Sequence, residues 1–152
     1  MATTITPATL TVSLTESVTL NGAEENATNT LSISSIAQVT RRILTVSDAA
    51  FDNLIEFASA GRATGQKFLL SDCRYVRITN LDNANHLELR FTNSNSDVVT
   101  FIVDAGQSFM LGPDFKTSPT TGAGSLTFHN LSTIEAKADT ASVDCEFYVA
   151  SV

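Results

Sequence analysis

Apolar and polar residues alternate with a period of two along most of the chain, the pattern of strands buried on one face. Leu10, Val12 and Leu14 alternate with Thr and Ser. Val18 and Leu20 lead to Asn21-Gly22, a dipeptide that favours a two-residue hairpin turn. Leu31 and Ile33 alternate with Ser32 and Ser34, and residues 39–46 are a β-branched stretch interrupted by Arg41-Arg42. Further on, strands are expected over 75–80, 86–92, 98–103, 108–111, 126–128, 134–138 and 142–150, separated by turn residues. In the last strand Val143, Cys145, Phe147 and Val149 should face inward, and Asp144, Glu146 and Tyr148 outward. Residues 48–58 leave two readings open. Ser47-Asp48 could cap a short helix carrying Phe51, Leu54, Ile55 and Ala58, or 53–57 could be a strand like its neighbours.

Nine or ten short strands with a turn about every ten residues predict an all-β domain, an antiparallel β-sandwich or barrel. At 152 residues the chain suits one domain. Residues 1–30 differ in tone, being rich in Thr, Glu and Asn and lacking Lys, Arg and aromatics. They are expected to form an extended N-terminal arm, a contact element able to pair with a neighbour's sheet, ahead of a β-sandwich over 31–152. Residues 112–124 hold two of the three prolines and read as a surface contact loop.

Charged residues make up only 16% of the chain, and Ser, Thr and Asn supply much of the polarity. That mixture suits pleated strands and tight turns. The net charge is -7 with nine basic residues, of which Arg41-Arg42 are the adjacent pair. Without a basic stripe, neither nucleic acid nor an anionic membrane is an expected partner. No apolar run approaches a membrane span. Residues 1–7 have neither a basic n-region nor an apolar h-region, so a secretory signal is not expected. The sequons at Asn26 and Asn130 then read as chance matches.

Candidate chemistry is sparse. His86 is placed at the opening of a strand and His129 at the close of one, with no nucleophile elbow in the chain. Surface or turn roles suit them better than catalysis. Asn93, Asn95 and Asp97 have the first, third and fifth oxygens of a calcium loop. Val98 stands where glycine is required, and the twelfth position is Asp104 instead of Glu, so a hairpin turn is the better reading. Glu24-Glu25 reads as a solvated turn, and Glu88 with Arg90 as a surface or cross-strand pair. Gly122-Ala-Gly124 lacks a phosphate-binding context. Cys73 and Cys145 lack metal or redox spacing and read as small buried hydrophobes, with a disulfide left open. No catalytic, cofactor-binding or metal residue is expected, and no enzymatic activity.

The phrases Tyr75-Val-Arg-Ile-Thr-Asn-Leu-Asp82, His86-Leu-Glu-Leu-Arg-Phe91 and Val103-Asp-Ala-Gly-Gln-Ser-Phe-Met-Leu111 are followed by Ile134-Glu-Ala-Lys-Ala138 and Val143-Asp-Cys-Glu-Phe-Tyr-Val149. In this order they resemble small β-rich virion proteins of tailed bacteriophages, particularly marine phages. The opening, Thr15-Glu-Ser-Val-Thr-Leu-Asn-Gly22 with Thr28-Asn-Thr30 and Ile33-Ser-Ser-Ile36, is similar to the same group. The resemblance spans most of residues 10–150 and rests on fold phrases rather than an active-site signature. It implies a jelly-roll-like sandwich, made in the host cytoplasm and located in the virion. The implied role is that of a capsid-associated decoration protein without cofactor. Its partners would be further copies of itself, a trimer favoured, and virion proteins such as the major capsid protein. The alternative it implies is a tail, neck or fibre component that recognises host-surface carbohydrate.

Overall fold

The computed structural model describes residues 5–58, 67–118 and 126–152. They form fourteen strands, and among the described residues there is no helix. In chain order these are β1 (Ala8–Glu16), β2 (Thr19–Leu20), β3 (Ala23–Glu24), β4 (Ala27–Ile36), β5 (Gln38–Val46), β6 (Asp52–Ala58) and β7 (Lys67–Leu69). Then come β8 (Cys73–Asn80), β9 (Leu87–Asn93), β10 (Val98–Val103), β11 (Ser108–Leu111), β12 (Lys116–Thr117), β13 (His129–Ala138) and β14 (Val143–Ser151). The segment with two readings is therefore a strand, β6. Its Leu54 and Ile55 are successive yet both fully buried, because Ile134 faces Ile55 while Glu135 faces Asn53, so β6 carries an extra residue at this step.

Two sheets carry the core. One runs β10-β9-β13-β6-β7 with β12 also on β13, and the other β11-β8-β14-β5. Pairing is antiparallel except between β6 and β7, which is parallel. Neither sheet closes into a barrel. Leu54, Ile55, Leu89, Phe91 and Ile134 of the first sheet share one apolar cluster with Val76, Ile78, Val143, Cys145, Phe147 and Val149 of the second. The inward set expected of the last strand is buried throughout. Where β10 and β11 approach, Phe91, Phe101 and Phe109 pack ring on ring, with centroids 5.1–5.6 Å apart. Asp104 to Gln107 link these two strands, with Gly106 at φ +73° making the turn.

Two further β-bulges set which residues meet the core. Leu131 and Ile134 are three apart and would lie on opposite faces of an unbroken strand. The register of β13 against β9 slips between Leu131 and Thr133, so both are buried. The Ser132 hydroxyl donates to the carbonyls of Thr92 and Asn93 at this step. The expected strands at 126–128 and 134–138 are corrected accordingly. Residues 126–128 are not in a strand, one ten-residue strand runs through the bulge, and His129 opens it instead of closing one.

The second bulge lies at the base of the N-terminal strands. Leu10 faces Ile33, yet Ala8 faces Ile36, so β4 carries one extra residue, with Ser35 at φ +62°. The bulge returns Ile36 to the same face as Ile33, and both are buried against Tyr75 and Ala150. A β-branched residue resists this left-handed conformation. Ser35→Val is expected to destabilise the protein by about 1–2 kcal/mol, and Ser35→Gly to leave stability equal or higher. Urea unfolding of the two variants checks this; equal losses in both would remove the backbone conformation as the cause.

Asn80 is a buried polar side chain with every group satisfied. Its Nδ2 donates to the carbonyls of Asn85 (2.9 Å) and Val103 (3.1 Å), and its Oδ1 accepts from the amide of Asp82 (3.0 Å). It ties the end of β8 to the following turn and to the end of β10, so the burial carries no unpaired polar cost.

Candidate functional site

Residues 8–36 form a two-stranded ribbon. β1 and β4 pair from Ala8↔Ile36 to Glu16↔Ala27, and the small hairpin β2–β3 makes its tip. Asn21 (φ +50°) and Gly22 (φ +84°) are both left-handed, the type I′ turn that the Asn-Gly dipeptide announces. Asn26 Oδ1 accepts from the Val18 amide at 3.1 Å, and the Glu25 amide donates to the Val18 carbonyl at 2.8 Å, bridging the tip to the shaft.

The two faces of the ribbon differ in chemistry. Directly opposed residues point the same way. One face therefore carries Leu10, Val12 and Leu14 with Ile33, Leu31 and Asn29. The other carries Thr11, Ser13 and Thr15 with Ser32, Thr30 and Thr28, among which Ser13–Thr30 and Thr28–Thr15 hydrogen bond at 3.5 and 3.4 Å. Among the described residues, cover on the apolar face is confined to its base. Ile33, Ile36, Leu10 and Val12 pack on Tyr75, Tyr148 and Ala150, on the outer face of the β11-β8-β14-β5 sheet. Further along, Leu14 and Leu31 border a cleft of about 180 Å³ with Met110 and Gly112 at the β11 edge. All residues from 13 to 32 are exposed. Leu14 keeps 50% and Leu20 58% of its surface in water.

Beneath the ribbon the outer face of the sheet holds an ion cluster. The Glu146 side chain, expected to face solvent, is 5% exposed. One carboxylate oxygen accepts from Arg41 of β5 and the other from Arg77 of β8. The Arg77 guanidinium also lies 5.9 Å from the Tyr148 ring centroid. Glu146 does project from the outer face, but two flanking arginines roof it over, which alternation along its own strand does not reveal. On the other sheet, Arg90 Nε donates to Glu135 at 2.8 Å and the guanidinium stacks over Phe51. Arg90 is thus in a cross-strand pair, with Glu135 as the partner.

The candidate catalytic and metal residues are dispersed. His86 lies before β9 near the Ala138 end of β13, whereas His129 opens β13 at the Asn93 end of β9. About seven strand residues separate them, on the order of 20 Å. His86 Nδ1 pairs with Asp139 at 3.2 Å, and Thr140 Oγ1 donates to Asn85 Oδ1, fastening two turns together. In the 93–97 hairpin, Asn93 Oδ1 accepts from the amides of Asn95 and Asp97. Asn93 and Asn95 turn their Nδ2 groups toward the Asp97 carboxylate. This is a self-satisfied turn, with donors where a cation would need oxygens. Among the described residues no group of three or more His, Cys, Asp or Glu side chains is placed to hold a metal ion. Nor is any helix long and apolar enough to cross a membrane.

Hydrogen bonds hold two turn carboxylates below the ordinary value of 3.8: Asp82 through the amides of Asn85 and Ala84, and Asp97 through Asn93 and Asn95. A lowered folded-state value adds stability above pH 3.8 that is lost as pH falls through the lowered value. Asp82→Asn and Asp97→Asn are therefore expected to flatten the acid limb of the unfolding midpoint below pH 3.8. An unchanged limb in both would contradict it.

Cys73 and Cys145 are free and buried. In the β8–β14 ladder Cys145 lies opposite Asn80 and Cys73 opposite Ser151, so a disulfide is out of reach. Burial pushes both thiols up to about 12. Neither is expected to react with a thiol reagent at pH 8 until denaturant is added; stoichiometric labelling of the folded chain would overturn this.

No protein-family model, curated protein or solved structure matches the chain. Fold and surface together define an all-β protein of several antiparallel sheets, whose main exposed feature among the described residues is an amphipathic ribbon packed at its base. Part of the loop expected as a second contact element, residues 119–125, lies outside the described residues, as do residues 1–4 of the arm.

Proposed function

We propose that this protein is a structural subunit of a phage particle, a capsid-associated decoration protein that works by burying surface against neighbouring subunits. The observation that carries this reading is the exposed ribbon. Monomeric proteins seldom leave an apolar stripe on a two-stranded ribbon in water, and such surfaces mark contact sites. Open edges at β1, β4, β5 and β10 add unpaired backbone groups able to accept a further strand.

The fold reading that accompanies it is a jelly-roll-like sandwich. Its support is the strand order. With the ribbon and short strands β7 and β12 set aside, eight strands remain. One sheet then reads sixth-third-eighth-first and the other fifth-fourth-seventh-second. That arrangement suits two nested Greek keys, an architecture used in viral capsid and lectin domains. Fold alone does not assign function, so the assignment rests on the ribbon and on the resemblance to phage virion proteins.

The test is the mass of the purified protein by light scattering, with and without emptied phage heads. The expected result is a discrete oligomer, a trimer favoured, that occupies heads stoichiometrically. Deleting residues 2–15 should weaken assembly. A monomer that ignores heads would sink the reading and bring tail or host-recognition roles forward.

A further inference from the structure

The ribbon crosses the outer face of one sheet, with its base beside β5 and its middle toward the β11 edge. The ribbon base packs on β8 and β14 through Tyr75, Tyr148 and Ala150, and its middle lies beside Met110 at the β11 edge. β5 is the far edge, beyond β14. The tip of the ribbon therefore extends away from the β5 of its own chain.

The two ends are complementary in charge and in apolar content. Residues 5–36 contain Glu16, Glu24 and Glu25 and not one Lys, Arg or Asp. Among the described residues, Glu16 and Glu25 form no ion pair. Val18 and Leu20 stand exposed among them. On β5, Arg42 is exposed and has no ion pair among the described residues, and Val39 and Ile43 are about half exposed. Among the described residues β5 pairs with β14 alone, so its outer backbone groups are open to another strand. A protein of net charge -7 repels its own copies in general. A self-contact must therefore match its few free cations with carboxylates.

We propose that the acidic tip of the ribbon of one copy docks on the open β5 edge of the next. Lying along the open edge, the tip would reach both faces of β5: its carboxylates would meet Arg42 on the inner face, and Val18 and Leu20 would cover Val39 and Ile43 on the outer face. This rests on the subunit reading above and deepens it by naming the partner and both surfaces. A contact between two different patches is head-to-tail, so it closes into a ring when the rotation per subunit divides a full turn. Three copies would satisfy it. The receiving strand follows directly on the ribbon in sequence, so each subunit offers one donor and one acceptor.

The experiment is a charge swap read by light scattering across protein concentration at low salt, with thermal unfolding as the folding control. Glu25→Lys and Arg42→Glu are each expected to weaken self-association by about tenfold or more, since like charges are brought together. The chain carrying both changes should regain the oligomer. Raising salt should weaken the wild-type oligomer and narrow the difference between variants. A wild-type oligomer that both single variants retain would overturn this docking mode while leaving the subunit role standing. A wild-type monomer that still binds emptied heads would also overturn it, assigning the ribbon to a different virion protein. A monomer that binds nothing would overturn both.

Discussion

Phe147→Ala is expected to cost about 3–5 kcal/mol of folding stability, the largest effect of any single truncation considered. The side chain is fully buried at the middle of β14, the strand between β8 and β5. Ile78 is opposite it on one side and Arg42 on the other, and the Phe68 ring meets it edge-on at 6.4 Å. Both sheets contribute to the wall around it, so the cavity left by the ring cannot close by shifting one strand. A domain of this size has roughly 5–15 kcal/mol in hand, so the variant should be marginal at room temperature. Urea unfolding followed by circular dichroism reads the loss. A change below about 1 kcal/mol would mean that the two sheets do not meet at Phe147.

Glu146→Gln is expected to cost about 1–3 kcal/mol. The variant keeps the shape and removes the charge that holds two guanidinium groups. In place of one acceptor oxygen it turns an NH2 toward Arg41 or Arg77. The larger figures known for broken buried ion pairs do not apply, because Arg41 is 66% and Arg77 33% exposed and water can take over part of the role of the carboxylate. Arg77→Met made in the wild type should destabilise, whereas made in the Glu146→Gln background it should cost less. The difference is the coupling between the two residues. Additive losses would show that the pair contributes nothing beyond packing. Because the cluster fixes β5, β8 and β14 side by side, its loss should also disturb the base of the ribbon through Tyr148.

The head-to-tail contact and the ion cluster share β5 but use different arginines. Arg41 points to the outer face and is taken by Glu146, while Arg42 points the other way and has no ion pair among the described residues. A dipeptide that looks like one basic patch is thus divided by strand alternation into a structural cation and an available one.

Local chemistry made much of the fold legible. Period-two alternation placed the core-facing residues of β8, β9 and β14, because a strand with one buried face can be written in few other ways. Asn21-Gly22 marked the ribbon tip, because few other residue pairs accept two left-handed conformations in succession. Asn93 and Asp97 marked a hairpin through short side chains that bond their own backbone. At the candidate site, the absence of cations and aromatics from residues 1–30 set that segment apart.

Other features depended on partners distant in sequence. The bulges at Ser35 and Ser132 interrupt the alternation, so β13 read as two short pieces and the shared face of Ile33 and Ile36 was hidden. A bulge is defined by the strand opposite, which lies tens of residues away. Glu146 looked solvated because the arginines that bury it stand 105 and 69 residues away. The separation of Cys73 and Cys145 is likewise a matter of ladder register, which neither strand encodes alone. The strands themselves, the side chains that most of them bury and the positions of the tightest turns were all encoded locally. These follow from steric and solvation preferences within a few residues. The order of strands in the sheets, the roofing of Glu146, and the ribbon packed at its base and exposed beyond arose from contacts between segments distant in the chain. Those depend on which faces meet across the sheets, a property of the packed whole.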